Sequence, residues 1–187
     1  MWRCQRRVNN TMDKYIALLR GINVGGKNIL PMKELVSIIE SMGARDVSTY
    51  IQSGNVVFTS AIAQRQDWCE KLTQKVQELK GFSPQLLLLS KAELNRAIDN
   101  NPFSVDDPKS IHFFFLAQDP GKEKLVELAK IEADTEQYHL KERIFYLYTP
   151  AGFGRSKLAS RVEKILAVPT TARNWNTILK LAQLSGT

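Results

Sequence analysis

The feature that most constrains this 187-residue chain is an order of strand and helix signals that runs β-α-β-β-α-β and then starts again. Residues 15–20 predict a strand apolar on both faces, because Tyr15, Ala17 and Leu19 alternate with Ile16 and Leu18, so the strand belongs in the middle of a sheet. A loop over residues 21–28 leads to a helix opening near Pro31, with Leu35, Ile38, Ile39 and Met42 at helical spacing and Gly43 as its stop. Residues 46–52 and 55–59 predict two strands joined at Ser53-Gly54, a hairpin signal. The next helix has a stripe of Trp68, Leu72, Val76 and Leu79, and residues 85–89 supply a fourth strand.

After a helical connector around residues 94–98 the pattern recurs. Residues 111–117 predict a second two-faced strand, residues 122–130 a short helix, and residues 138–141 with 144–148 a hairpin. Leu158, Val162, Ile165 and Leu166 mark a helix, residues 170–174 a short edge strand, and Trp175, Ile178, Leu179 and Ala182 a final helix. This is the split βαβ arrangement, in which the first and third strands are central and both helices cover one sheet face. The expected fold class is therefore α/β (α+β): two tandem ferredoxin-like βαββαβ units packed together, plus a C-terminal helix. Residues 1–12 form a basic N-terminal extension, 13–100 the first unit with its connector helix, and 101–187 the second. Two-faced first strands imply that the face away from the helices is also buried, and the other unit is its natural cover.

Composition narrows the function classes. No apolar run approaches the roughly 20 residues that cross a bilayer, so a membrane partner is not expected. Cys4 and Cys69 lie far apart with no ligand-spaced partner, which points neither to a disulfide framework nor to zinc, and cytoplasm is the default location. The net charge is +7, but Arg3, Arg6 and Arg7 sit in the extension beside Trp2, and the body from Met12, an alternative start, carries only +4. That bias suits an anionic ligand without diagnosing one.

The segment Leu19-Arg20-Gly21-Ile22-Asn23-Val24-Gly25-Gly26-Lys27-Asn28, together with Tyr50-Ile51-Gln52-Ser53-Gly54-Asn55, Asn101-Pro102-Phe103, residues 152–157 and residues 171–177, resembles a specific family, domain-of-unknown-function family 1697. The resemblance covers nearly everything from Asp13 onward. It implies a mostly bacterial, cytoplasmic protein with the duplicated ferredoxin-like fold, and no established activity or catalytic residues to carry over.

Gly21 to Lys27 nearly satisfies the phosphate-loop pattern G-x-x-x-x-G-K-S/T, but Asn28 stands where magnesium needs a hydroxyl, so nucleotide hydrolysis is not expected. A weaker form survives, in which amides near Gly25 and Gly26 and the following helix N-terminus hold an anion with Lys27 as counter-charge. The alternative is a purely structural loop. In β-α-β-β order the turn between strands two and three shares an edge with the end of strand one, so Gln52, Ser53 and Asn55 approach Asn23 to Asn28, with Arg20 beneath. These donors, without an acid, suit phosphate or carboxylate better than a metal. Gly152 to Lys157 repeats the theme with Arg155 and Lys157 before a helix, near Arg173; the competing reading is a helix start capped by Ser156. Trp175 and His112 read as core, His139 as isolated, and Asp106 with Asp107 as a solvated turn.

The reading that uses both loops is recognition of a small anionic ligand, with no cofactor. One alternative is weak RNA or DNA binding, with Phe113, Phe115, Tyr146 and Tyr148 presented on a sheet to stack on bases. The other is an enzyme acting on a phosphorylated metabolite, which lacks an evident general base. Monomer and homodimer both stay open.

Overall fold

The computed structural model describes residues 11–131, 133 and 135–186; the basic extension, with Trp2, Cys4 and its arginines, lies almost wholly outside them. Two compact units result, one running up to Lys91 and taking in the C-terminal residues from Gln183, the other spanning Ala92–Ala182.

In the first unit β1 (Asp13–Arg20), β2 (Arg45–Tyr50), β3 (Asn55–Ser60) and β4 (Gln85–Ser90) form an antiparallel sheet in the order β2-β3-β1-β4. β1 and β3 are central, as their apolar composition requires, and pair in register from Asp13 with Ser60 to Leu18 with Asn55. Helices α1 (Met32–Ser41) and α2 (Arg65–Lys80) close a core in which Tyr15, Ala17 and Leu19 of β1 meet Leu35, Ile39, Leu72 and Val76. Phe58 stacks on Trp68 at 4.8 Å between ring centroids. On the opposite face Ile16, Leu18 and Val57 are buried as well.

One expected core residue is outside. Leu79 is 65% exposed, because the inward stripe of α2 advances by four residues from Trp68 through Leu72 and Val76 to position 80. One residue is about 100° of helix rotation, which turns Leu79 outward. Lys80 takes the inward position, its stem half-buried and its ammonium paired with Glu34.

The second unit repeats the topology with β5 (Ile111–Leu116), β6 (Gln137–Lys141), β7 (Ile144–Tyr148) and β8 (Thr170–Asn174), in the order β6-β7-β5-β8. Phe114, Leu116, Phe145 and Leu147 face α4 (Lys122–Leu128) and α5 (Val162–Leu166). On its other face this unit packs helices of its own. Tyr146 donates its hydroxyl to the Ala97 carbonyl of α3 (Lys91–Asp99) at 2.9 Å, and Phe113 packs 5.6 Å from Trp175 of α6 (Trp175–Leu184). The connector helix thus packs on the second sheet, since Ala97 and Leu94 present a stripe that a polar helix face cannot leave in water. α5 is shorter than its periodicity implied, and Leu158 sits in the turn before it.

Candidate functional site

At the exit of β1 the chain makes a small hairpin whose tip is Gly25-Gly26, bridged by Val24 and Lys27. The tip glycines have φ of +57° and +74°, the sign that both central residues of a type I′ turn require. Asn23 and Asn28 are left-handed too, at +54° and +52°, which asparagine tolerates better than other residues with a side chain. Their carboxamides then fix the loop. Asn23 donates to the carbonyls of Leu30 and Gln52, both at 2.9 Å, and accepts the Leu30 amide at 2.8 Å, while Asn28 donates to the Gly21 carbonyl at 2.7 Å.

The β2–β3 turn is locked to the same edge, as the topology predicts. The Leu19 amide donates to the Gly54 carbonyl at 2.8 Å. Asn55 is fully buried and donates to the Tyr50 carbonyl at 3.1 Å and to the Ser53 hydroxyl at 2.8 Å. Arg20 is half-buried, its guanidinium 3.5 Å from Gln85, whereas Lys27, Gln52 and Ser53 are exposed.

This geometry corrects the phosphate-loop comparison. The Asn23 and Lys27 amides are bonded inside the loop, to Asn28 and Val24, and α1 begins only at Met32 after Pro31, which has no N–H to offer. The glycines therefore form an exposed turn instead of a cradle opening onto a helix N-terminus. Asn23, Asn28 and Asn55 act as braces. The edge carries two cations, the half-buried Arg20 and the exposed Lys27, with no Asp or Glu in residues 20–30 or 50–55. Nor do these residues include a histidine, so nothing in them is a general base.

The second glycine loop has a different fate. The Glu136 carboxylate accepts from the Ser156 hydroxyl at 2.7 Å and from the amides of Lys157 and Leu158 at 2.8 and 3.1 Å. The donors of this loop are taken up by the protein's own carboxylate. Nothing in the local sequence of residues 152–157 signals Glu136, which arrives from the α4–β6 connection 20 residues upstream. Ser156 does not cap α5, whose N-cap is Arg161; its hydroxyl accepts the Ala159 amide at 2.8 Å in a preceding turn. Arg155 is exposed, while Arg173 is half-buried and donates to the Ala172 carbonyl at 2.8 Å, with burial lowering its pKa to about 10. Glu136→Ala is expected to lower stability by about 1–2 kcal/mol, because Ser156 and Leu158 are buried and their donors lose their acceptor. Chemical denaturation checks this, and Glu136→Gln, which keeps one acceptor oxygen, should recover part of the loss.

Three of the four rings considered for base stacking are covered: Phe113 and Tyr146 are fully buried and Phe115 is 3% exposed. Tyr148 is half-buried against Phe103 at 5.9 Å. Trp175 is core, and His139 is exposed. Asp106 and Asp107 serve as turn acceptors for Ser104 and Ser110, the hydrogen bond from Ser110 holding the Asp107 carboxyl below its usual range. A cleft of about 560 Å³ lies away from the glycine edge, beside Met42, Ile62 and Trp68, where Lys71 and Lys75 are balanced by Asp67 and Glu78. Among the described residues no group of three His, Cys, Asp or Glu side chains gathers to hold a metal ion, and no helix is long and apolar enough to cross a membrane.

The family model for a protein of unknown function (DUF1697) matches residues 12–146, well over half of the chain. The chain belongs to the DUF1697 family. It is also similar to the solved structure of the conserved bacterial protein SP0830 from Streptococcus pneumoniae, with 29% identity over 94% of this chain and 99% of that one and a TM-score of 0.73. No curated protein matches. The architecture of this DUF1697 chain is mixed α/β, with two four-stranded antiparallel sheets and six α-helices among the described residues, and the neighbour has a similar fold; neither family nor neighbour assigns a function.

Proposed function

We propose that this DUF1697 protein is a cytoplasmic binding protein that recognises a small anionic group, a phosphate or carboxylate, at the glycine-loop edge of its first unit. The carrying observation is that Asn23 ties residues 23, 30 and 52 into one braced edge that holds Arg20 and Lys27 with no neighbouring acid along those segments. Such bracing lowers the entropy lost when an anion is fixed, and cations without carboxylates select its sign. The second loop is set aside because Glu136 already fills it. A half-buried free thiol such as Cys69, whose pKa burial pushes up to about 11, is inert and at home in a reducing compartment.

Inorganic phosphate and glycerol phosphate are the first probes. At ten times Kd, bound ligand should add about 1.4 kcal/mol of stability, which in a chain of this size is a rise in Tm of roughly 3–6 °C. Lys27→Ala, at an exposed position, should leave the unliganded midpoint within roughly 2 °C, and together with Arg20→Ala it should abolish that rise. A rise that survives both substitutions places the anion elsewhere.

A further inference from the structure

The cleft of about 560 Å³ in the first unit has one face of α2 as its long wall. Gln64, Trp68, Lys71, Lys75 and Glu78 line it at intervals of three and four residues, a continuous helical stripe, with Asp67 beside Trp68. Met42, at the end of α1, and Ile62, in the link from β3 to α2, give it an apolar side, and both pack against the core of this unit. Its volume suits a small organic molecule.

Along the stripe the charges run acid, base, base, acid. Asp67 and Lys71 stand four residues apart, a spacing at which opposite charges meet on a helix. Among the described residues, however, Asp67, Lys71 and Lys75 have no hydrogen-bond or ion-pair partner, whereas Glu78 accepts from Gln74 at 2.9 Å. A carboxylate followed by two ammonium groups is therefore open to a ligand along one wall. A polyanion would meet Asp67 there and a polycation would meet the lysines. A molecule with one positive and one negative end satisfies both.

Trp68 adds a further demand. It is 6% exposed, and its indole N–H is buried with no acceptor among the described residues, an unfavourable state that an amide carbonyl relieves. Spacing then sets the ligand's length. Along the helix axis Asp67 lies about 6 Å from Lys71 and about 12 Å from Lys75. An extended peptide residue spans about 3.3–3.6 Å, so the termini of a dipeptide or tripeptide match those separations.

We propose that this cleft binds a short apolar peptide of two or three residues in its zwitterionic form. The peptide's ammonium pairs with Asp67 and its carboxylate with Lys71 and Lys75. Its aliphatic side chains lie against Met42 and Ile62, and a peptide carbonyl accepts from the Trp68 indole as the ring turns toward the cleft. A free amino acid has no amide carbonyl and holds its two charges too close together to reach from Asp67 to Lys75. The site shares no residue with the glycine edge and does not rest on the anion reading.

The test is calorimetric titration of the full chain with leucyl-leucine and leucyl-leucyl-leucine, with the N-acetylated and C-amidated forms of each, and with leucine alone. Binding of the free peptides is expected, weakened about fivefold by either cap, as for loss of one exposed ion pair, with no binding of leucine. Asp67→Asn and Lys71→Gln, both at exposed positions, should each weaken the free peptides by about the same factor. Asp67→Asn should also bind free and N-acetylated peptide equally, because the partner of the ammonium is gone. Absence of peptide binding overturns the proposal, as does equal affinity of the wild type for free and capped peptides. Peptide binding unchanged in both variants overturns it too, because the peptide then sits elsewhere.

Discussion

Replacing Gly54 by alanine is expected to lower stability by about 3 kcal/mol and Tm by roughly 10 °C. The residue stands at φ +75°, and a Cβ built there meets the Leu19 Cβ at 2.6 Å, the Ile22 Cδ1 at 2.9 Å and the Leu19 carbonyl oxygen at 3.3 Å. Ile22 can swing its terminal methyl aside, but the Leu19 Cβ and carbonyl are held in β1, so the β2–β3 turn itself must move. Gly25 is the natural control. Its φ is also positive, at +57°, yet nothing lies within 4 Å of its added Cβ, so Gly25→Ala should cost only about 1 kcal/mol of backbone strain. Equal losses at the two positions would remove close packing as the cause. Because Gly54 couples the two turns of the candidate edge, Gly54→Ala should also reduce the phosphate response, whereas Gly25→Ala should largely keep it.

The second large effect is a dependence on pH carried by His112. The imidazole is buried under Phe153, with ring centroids 4.1 Å apart, and its Nδ1 has no hydrogen-bond partner among the described residues. Burial lowers its pKa from 6.5 to about 4, against a smaller upward pull from the Ser110 backbone. The folded state thus binds fewer protons than the unfolded chain between those values. Stability is fully present above about pH 6.5 and is lost as pH falls toward 4. The expected loss is roughly 2 kcal/mol, less than the full linkage value because the covering Phe153 is itself 40% exposed. His112→Phe keeps the ring stack and removes the titration, so the difference in Tm between wild type and variant should widen as pH drops from 7 to 4.5. Parallel profiles would show that His112 is not the group responsible.

Both effects depend on tertiary neighbours, and this marks where the sequence stops being informative. The βαββαβ order, the central strands and the shared edge of the glycine loop and β2–β3 turn were legible because each follows from local periodicity and topology. Leu79 was misread because spacings of three and four both fit a helical stripe; only the folded chain decided that position 80, where Lys80 pairs with Glu34 of α1, is the more covered of the two. Ser156 looked like a cap and the loop after Gly152 like an open anion pocket, since its donors are local while Glu136, the acceptor that fills it, comes from another connection.

For the glycine loop of the first unit the division is similar. The sequence by itself determined that a glycine-rich, cation-bearing, acid-free loop follows the first strand, because glycine, asparagine and charge act locally. The tertiary structure alone decided that three asparagines are braces and that the glycines form a tip and not a phosphate cradle. It also decided which carbonyls those asparagines reach, because hydrogen-bond partners and neighbours across a sheet are set by chain reversal and not by spacing along the chain.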